Sequence, residues 1–257
     1  MTQLMAFTKK EWMEMLRTGK FAIITVLFIL FGVMNPAIAK LTPWMMETLS
    51  ESLESTGLTI TETKVDALTS WVQFYKNIPM ALIVFLLMFS GILAVEYQKG
   101  TLINMITKGL SRWKIIISKS FVLLLLWSFG YWMCYGITYA YNEYFWDNSI
   151  AEDLGFATFC VYMLGVWLIA LIMLMSTLFS TGSAAAVGTG GVFFVLYLLS
   201  MLPDLKECLP TYLIGASDLL SGTGEAGDYT TALVAAVGLS VVQLVLAVLI
   251  FNQKDVY

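Results

Sequence analysis

The distribution of charge constrains this chain more than any other feature. Residues 154–203 form 50 consecutive positions without a charged side chain. As one helix they would run for about 75 Å, against a hydrocarbon core of roughly 30 Å. The stretch therefore reads as two spans joined by a tight hairpin. The turn falls at Ser180-Thr181-Gly182-Ser183, where small polar residues interrupt the large apolar ones. Charge is also missing from residues 21–39, 78–95, 120–142 and 229–253. The expected architecture is all-α and polytopic, with spans at about 21–39, 78–95, 119–140, 157–180, 184–202 and 231–251. Six spans place both termini on one side.

Composition excludes the main alternatives. The chain is 59% hydrophobic and only 12% charged, about half the charge of an ordinary soluble domain. A soluble enzyme, a nucleic-acid binder and a disordered linker are ruled out. There is no histidine, so the commonest general base and metal ligand is absent. Of the three cysteines, Cys134 and Cys160 lie in apolar runs and read as packing rather than as a disulfide framework.

Orientation follows from the basic residues. One side would carry residues 1–20, 96–119, the hairpin and the tail 252–257. It holds 10 of the 14 basic residues with only Glu11, Glu14, Glu96 and Asp255 as acids, a net +6 against −10 opposite. The positive-inside rule makes that side cytoplasmic. Ala37-Ile38-Ala39 fits a signal-peptide cleavage site, but the long preceding segment argues for a retained span.

Residues 4–18 have the pattern of an interfacial helix, with Leu4, Met5, Trp12, Met15 and Leu16 on one face and Lys10, Glu14, Arg17 and Thr18 opposite. Residues 40–77 are expected to form one or two short outer helices broken at Thr56-Gly57, with Trp44 and Trp71 in the aromatic belt. Between spans two and three, Gly100 should stop one helix, and a two-turn helix over 101–108 should present Leu102, Met105 and Ile106 on one face. Gly109 would end it in a left-handed cap and Ser111 would cap the next helix. Tyr131, Trp132, Tyr135 and Tyr139 crowd the outer end of span three, as an aromatic belt or as a platform for an amphipathic substrate. Gly182, Ala186 and Gly190 recur every four residues, the spacing for close helix packing within the chain or across a dimer. Residues 212–216 are apolar enough to dip back into the membrane.

Chemistry is sparse. Gly222-Thr223-Gly224-Glu225-Ala226-Gly227 matches a dinucleotide fingerprint, but it sits in an outer loop without the strand that the mechanism requires. No phosphate-binding GxxxxGK[ST] occurs. The spans as drawn hold no interior ionisable residue, which weighs against an ion-coupled carrier or channel. No paired base or metal cluster supports a membrane enzyme, and no metal site is expected.

The segment Glu96…Gly100-Thr101…Ser111-Arg112…Lys119 is similar to the E-x-x-x-G-T…S-R…K pattern of a known family. With the basic N-terminal helix and the C-terminal Ile250-Phe251…Asp255, the chain resembles the six-span ABC-2 type permease subunits of bacterial ABC exporters. Many members carry proline where this chain has Gly109-Leu110, which implies a local change in loop geometry. The resemblance implies a non-catalytic subunit of the bacterial plasma membrane, paired with an identical or related permease. It also implies two copies of a cytoplasmic P-loop ABC ATPase, which bind the ATP and Mg, while this chain binds no cofactor. The helix at 101–108 would be the coupling helix. The residues meeting the ATPase would be Lys9, Lys10, Trp12, Arg17, Glu96, Gly100, Thr101, Leu102, Met105, Ile106, Lys108 and Arg112. Amphipathic peptides, then lipophilic compounds, are the expected cargo.

Overall fold

The computed structural model describes residues 2–53, 65–107 and 109–254. Helices account for nearly all of them, and no strand occurs among the described residues. In chain order the helices are α1 (Thr2–Arg17), α2 (Lys20–Leu53), α3 (Ala67–Phe89), α4 (Ala94–Gln98), α5 (Thr101–Thr107), α6 (Arg112–Phe145), α7 (Leu154–Leu178), α8 (Gly182–Leu199) and α9 (Ala226–Gln253). Six segments are long and apolar enough to cross a membrane: Lys20–Met45, Ala67–Gln98, Arg112–Phe145, Leu154–Leu178, Gly182–Leu199 and Ala226–Gln253. Their number is that expected from the charge-free runs. The hairpin also falls where expected, with Thr181 capping α8 by accepting a bond from the Ala184 amide at 3.2 Å.

The segment outside the first two spans departs from expectation. The helix α2 does not end near residue 39 but continues through Lys40 to Leu53, and α3 begins at Ala67, capped by the Asp66 carboxylate on the Thr69 amide. The expected break at Thr56-Gly57, together with Glu54, Glu62, Lys108 and Asp255, lies outside the described residues. Polarity misled here because a helix need not end where the hydrocarbon does. Trp71 is also not a belt residue. It is fully buried, and its indole N–H donates to Asn148 Oδ1 at 3.0 Å.

Pro36 sits inside α2, where it removes an N–H and leaves the Gly32 carbonyl without its helical partner. The Thr138 hydroxyl of α6 donates to that carbonyl at 3.2 Å. Asn35 Nδ2 in turn donates to Thr138 Oγ1 at 2.9 Å, and Asn77 Nδ2 to Asn35 Oδ1 at 2.7 Å. One polar thread thus joins α2, α3 and α6 and satisfies backbone that lipid would leave bare.

The core lies where α3, α6 and α7 meet, filled by Phe74, Phe85, Trp127, Tyr131 and Trp167. Two glycines make room for rings. A Cβ on Gly165 would stand 2.1 Å from Trp127 Cε2, and one on Gly130 would stand 2.3 Å from Phe28 Cδ2. Residues 212–216, expected to dip into the membrane, belong to a 3-10 helix (Pro210–Ser221) whose Leu213, Ala216, Leu219 and Leu220 are buried against α7 and α9. The glycine-rich 222–227 segment is the turn after that helix, with Gly222 in the left-handed region at φ 67°, and its Ala226 and Gly227 open α9.

Gly165→Ala is expected to destabilise the chain by about 1–3 kcal/mol through overpacking. Gly190→Ala, with nothing within 4 Å of the added methyl, should leave stability unchanged or slightly raised. Thermal unfolding in detergent compares the two directly.

Candidate functional site

The end of the bundle that carries the basic residues also carries the densest polar structure. The chain there breaks its second span. Residues 90–93 leave the α-helical path between α3 and α4, and the freed amides of Leu93 and Ala94 both donate to Ser176 Oγ of α7, at 3.0 and 3.1 Å. Gly91 permits the break to press on α8. A Cβ on it would lie 3.0 Å from the Gly182 Cα. The second span thus bends at residues 90–93, ten residues before the expected stop at Gly100.

The bend brings Glu96 of α4 against Lys119 of α6 and Glu11 of α1. Lys119 Nζ donates to Glu11 Oε2 at 2.7 Å and lies 3.0 Å from Glu96 Oε2, too poorly angled there for a hydrogen bond. Lys10 Nζ closes the ring, 2.9 Å from Glu11 Oε1, 2.8 Å from Glu14 Oε2 and 3.2 Å from Glu96 Oε1. The side chains of Glu11 and Lys119 are each 1% exposed and that of Glu96 12%. Three carboxylates therefore share two ammonium groups, and the network ties three helices together. Each ion costs several kcal/mol to desolvate, so the group persists only while its partners stay together. The three carboxylates come within 4.8 Å of one another, but the lysines occupy the space a metal would need.

Sequence reasoning drew no ionisable residue inside a span. Lys119 corrects that: it lies seven residues into α6 and is buried. The sequence alone puts it at the start of the third span, because only partners distant in sequence make its burial tolerable. Glu11 was missed on α1 for the same reason. The inward line of that helix is Phe7, Glu11 and Met15, while Met5 and Leu16 from the expected apolar face are exposed. The four-residue spacing of Phe7, Glu11 and Met15 was the available signal.

Burial alone would lower the Lys10 ammonium, but its bonds to Glu14 and Glu11 outweigh that and raise it. Burial would raise the Glu14 carboxyl, but Lys10 overrides this and holds it below its ordinary value. A raised lysine stabilises fully below its ordinary 10.5 and is lost as pH climbs through the higher folded value. A depressed carboxylate stabilises above its ordinary 4.5 and is lost as pH falls through the lower one.

The short helix α5 ends with Gly109 at φ 87°, its N–H on the Ile106 carbonyl and that of Leu110 on Met105, the pairing of a Schellman cap. Gly100, at φ 65°, makes the preceding turn. Ser111 occupies the N-cap position of α6, but its side chain makes no capping bond. The face of α5 expected to project outward is turned inward. Leu102 is fully buried, and Met105 and Ile106 are half-buried against the core. The face left open carries Thr101, Ile103, Asn104 and Thr107. A two-turn helix leaning on its own bundle buries its apolar side there first.

Of the remaining expected interface residues, Lys9 and Arg17 are exposed and Trp12 packs edge-on to Phe21 at 5.6 Å. Arg112 faces the chain itself. Its Nη1 donates to the carbonyls of Phe251, Asn252 and Lys254 at 2.9, 3.0 and 2.6 Å, closing the C-terminal end of α9. Lys254 Nζ donates to the Thr177 carbonyl at 2.8 Å at the end of α7, and burial lowers its ammonium.

Toward the opposite end, Tyr131 is part of the core. It is fully buried and donates to the Thr158 carbonyl at 2.7 Å. Trp132 and Tyr139 are 42% and 41% exposed, and Trp71 lies behind Tyr135 and Tyr139 at ring distances of 5.3 and 6.5 Å. Of the small-residue stripe, Gly182 packs on Gly91 within the chain, Ala186 is half-buried and Gly190 faces open space.

The ends of the Glu96–Lys119 pattern thus meet in space as one ion pair. Residues 5–203 match the family model described as ABC-2 family transporter protein. The chain belongs to the ABC-2 transporter family. It is therefore a multi-pass membrane protein and a permease component of an ABC transporter, a class of membrane subunit that is generally not catalytic. It is also similar to the uncharacterized transmembrane protein YxlG of Bacillus subtilis (strain 168), 23% identical over 236 residues that cover 89% of each chain.

Lys119→Met should cost this permease about 3–5 kcal/mol by leaving buried carboxylates unpaired. Adding Glu11→Leu should cost less than the two single changes summed, and thermal unfolding of the four forms measures that coupling. The stability lent by the Lys10–Glu14 pair, read as the difference in melting temperature between the unaltered chain and Lys10→Met, should be nearly constant between 4.5 and 10.5, the two ordinary values, and shrink outside them.

Proposed function

We propose that this ABC-2 chain is the membrane half of an ATP-driven exporter in a bacterial plasma membrane, with both termini cytoplasmic, moved by a separate ABC ATPase that seats on α5. Two permeases, identical or related, pair in the membrane, each resting on one ATPase that binds the ATP and Mg. The observation carrying this reading is the Lys119 ion network, which connects the segment next to α5 to two other helices. A force applied at α5 cannot move α4 alone. It reaches α1 through Glu11 and Lys10, and α6 through Lys119. Since α6 runs the depth of the membrane, displacement at the base becomes displacement of the aromatic end.

Because Leu102, Met105 and Ile106 lean on the bundle, the partner meets Thr101, Ile103, Asn104 and Thr107. Arg17, exposed and outside the groove between α1 and α6, is an N-terminal cation available to the same partner. The substrate path uses the exposed faces of Trp132, Tyr135 and Tyr139, and this apolar, uncharged surface suits amphipathic peptides first and lipophilic compounds second. Pairing with the second permease uses α8, where Val187 is 76% exposed and Gly190 is open to close approach. The competing reading, an ion-coupled carrier or channel, loses support because each buried carboxylate is held by a lysine.

The test is substrate-stimulated ATP hydrolysis by the reconstituted complex, across a panel of peptides and drugs. A P-loop ATPase should co-purify with the chain. Met105→Pro and Asn104→Trp should each cut the stimulation at least about tenfold, some 1.4 kcal/mol of coupling, with membrane insertion intact. Unchanged stimulation in both removes the role given to α5. Uphill transport by vesicles carrying this chain alone would favour the carrier reading.

A further inference from the structure

An open groove of about 500 Å³ runs between α1 and α6, within the roughly 300–1,000 Å³ typical of small-molecule sites. Its walls are almost wholly apolar: Leu4, Trp12, Ile117, Phe121, Val122 and Leu125. The two hydroxyls in it are used up locally, since Thr8 Oγ1 lies 2.9 Å from the Leu4 carbonyl and 3.0 Å from Ser118 Oγ. Nothing in the groove invites a polar molecule along its length. Lys9 also lines the groove, exposed and without an ion pair among the described residues. Lys114 stands one turn before the lining Ile117 and Ser118 on α6, at the groove's end toward the start of that helix, and is held by the neutral Gln3 amide at 2.8 Å, so its charge is not cancelled either. Among the described residues, the acids of this end, Glu11, Glu14 and Glu96, are held by Lys10 and Lys119. The ion network therefore takes up these acids and leaves Lys9 and Lys114 as cations beside an apolar slot.

We propose that this groove is a specific site for one anionic phospholipid, an acyl chain lying between α1 and α6 and the headgroup phosphate on Lys9 and Lys114. The chemistry is that of a fatty tail with a negative head. A zwitterionic lipid satisfies only the slot, and a second copy of this chain would have to bring its own acid to these lysines. The inference needs no ATPase and stands or falls apart from the proposed function.

The full chain in mild detergent, supplied with equal phosphatidylglycerol and phosphatidylcholine, is read by native mass spectrometry. One phosphatidylglycerol should stay per chain, with a preference on the order of tenfold for two lysines at a lipid surface. Phosphatidylglycerol with brominated acyl chains should quench Trp12, measured as the difference between the unaltered chain and Trp12→Phe. Lys9→Glu should reduce the preference several-fold while the slot still takes phosphatidylcholine. Leu125→Trp, from a wall position 40% exposed, should displace the lipid without changing the melting temperature. Equal retention of the two lipids, absence of Trp12 quenching, or lipid retention indifferent to Leu125→Trp would each overturn the proposal. So would a dimer that Leu125→Trp dissolves while no lipid is retained.

Discussion

An ammonium buried seven residues inside a membrane helix must be answered, and the way Lys119 is answered organises one end of this molecule. No single carboxylate suffices, because desolvation of each ion is repaid only by short contacts on several sides. Glu11 and Glu96 supply them at 2.7 and 3.0 Å, and Lys10 supports the same carboxylates from outside. Glu96 can reach only because the second span bends at residues 90–93, and the bend is tolerable only because Ser176 takes both freed amides. Glu11 can reach only because α1 lies along α6 rather than apart from it. Each local departure from a plain bundle serves the same cation.

The neighbouring helix ends follow a related rule. Carbonyls at the end of α9 receive Arg112, and those of Thr177 and Leu178 at the end of α7 receive Lys254, each a cation on the negative end of a helix. Positive residues that orientation rules count merely as a sum thus have separate structural duties. Glu96, Lys10 and Arg112 have partners within the chain, while the polar side of α5, Lys9 and Arg17 stay exposed.

Hydropathy made the number of spans, the hairpin at 180–183 and the α5 segment between two positive-φ glycines legible, because these depend on composition and on backbone geometry local in sequence. Which side of each helix meets protein was much less so. In water an apolar stripe marks the buried face. In a membrane both faces are apolar, so Tyr131 and Trp132, adjacent in sequence, look alike although one is core and the other exposed. The buried network was hidden for the opposite reason. Charged residues ordinarily mark a surface, and only the meeting of Glu11, Glu96 and Lys119, up to 108 residues apart, turns them into core. Trp71 belongs with these, since its indole partner Asn148 is 77 residues away.

The two halves of the bundle are joined by different chemistry, and that difference bears on how motion could pass through it. At the basic end the links are ionic and converge on one atom, Lys119 Nζ, so α1, α4 and α6 must move together or lose a bond worth several kcal/mol. In the span interior the links are neutral, from Asn77 through Asn35 to Thr138, and interhelical bonds of this kind average only about 0.6 kcal/mol. Asn142, a turn beyond Thr138, is buried with neither amide atom bonded, which costs about 1–3 kcal/mol. The basic end is thus the more firmly joined of the two, and the exposed rings of Trp132 and Tyr139 lie beside the weaker, neutral links.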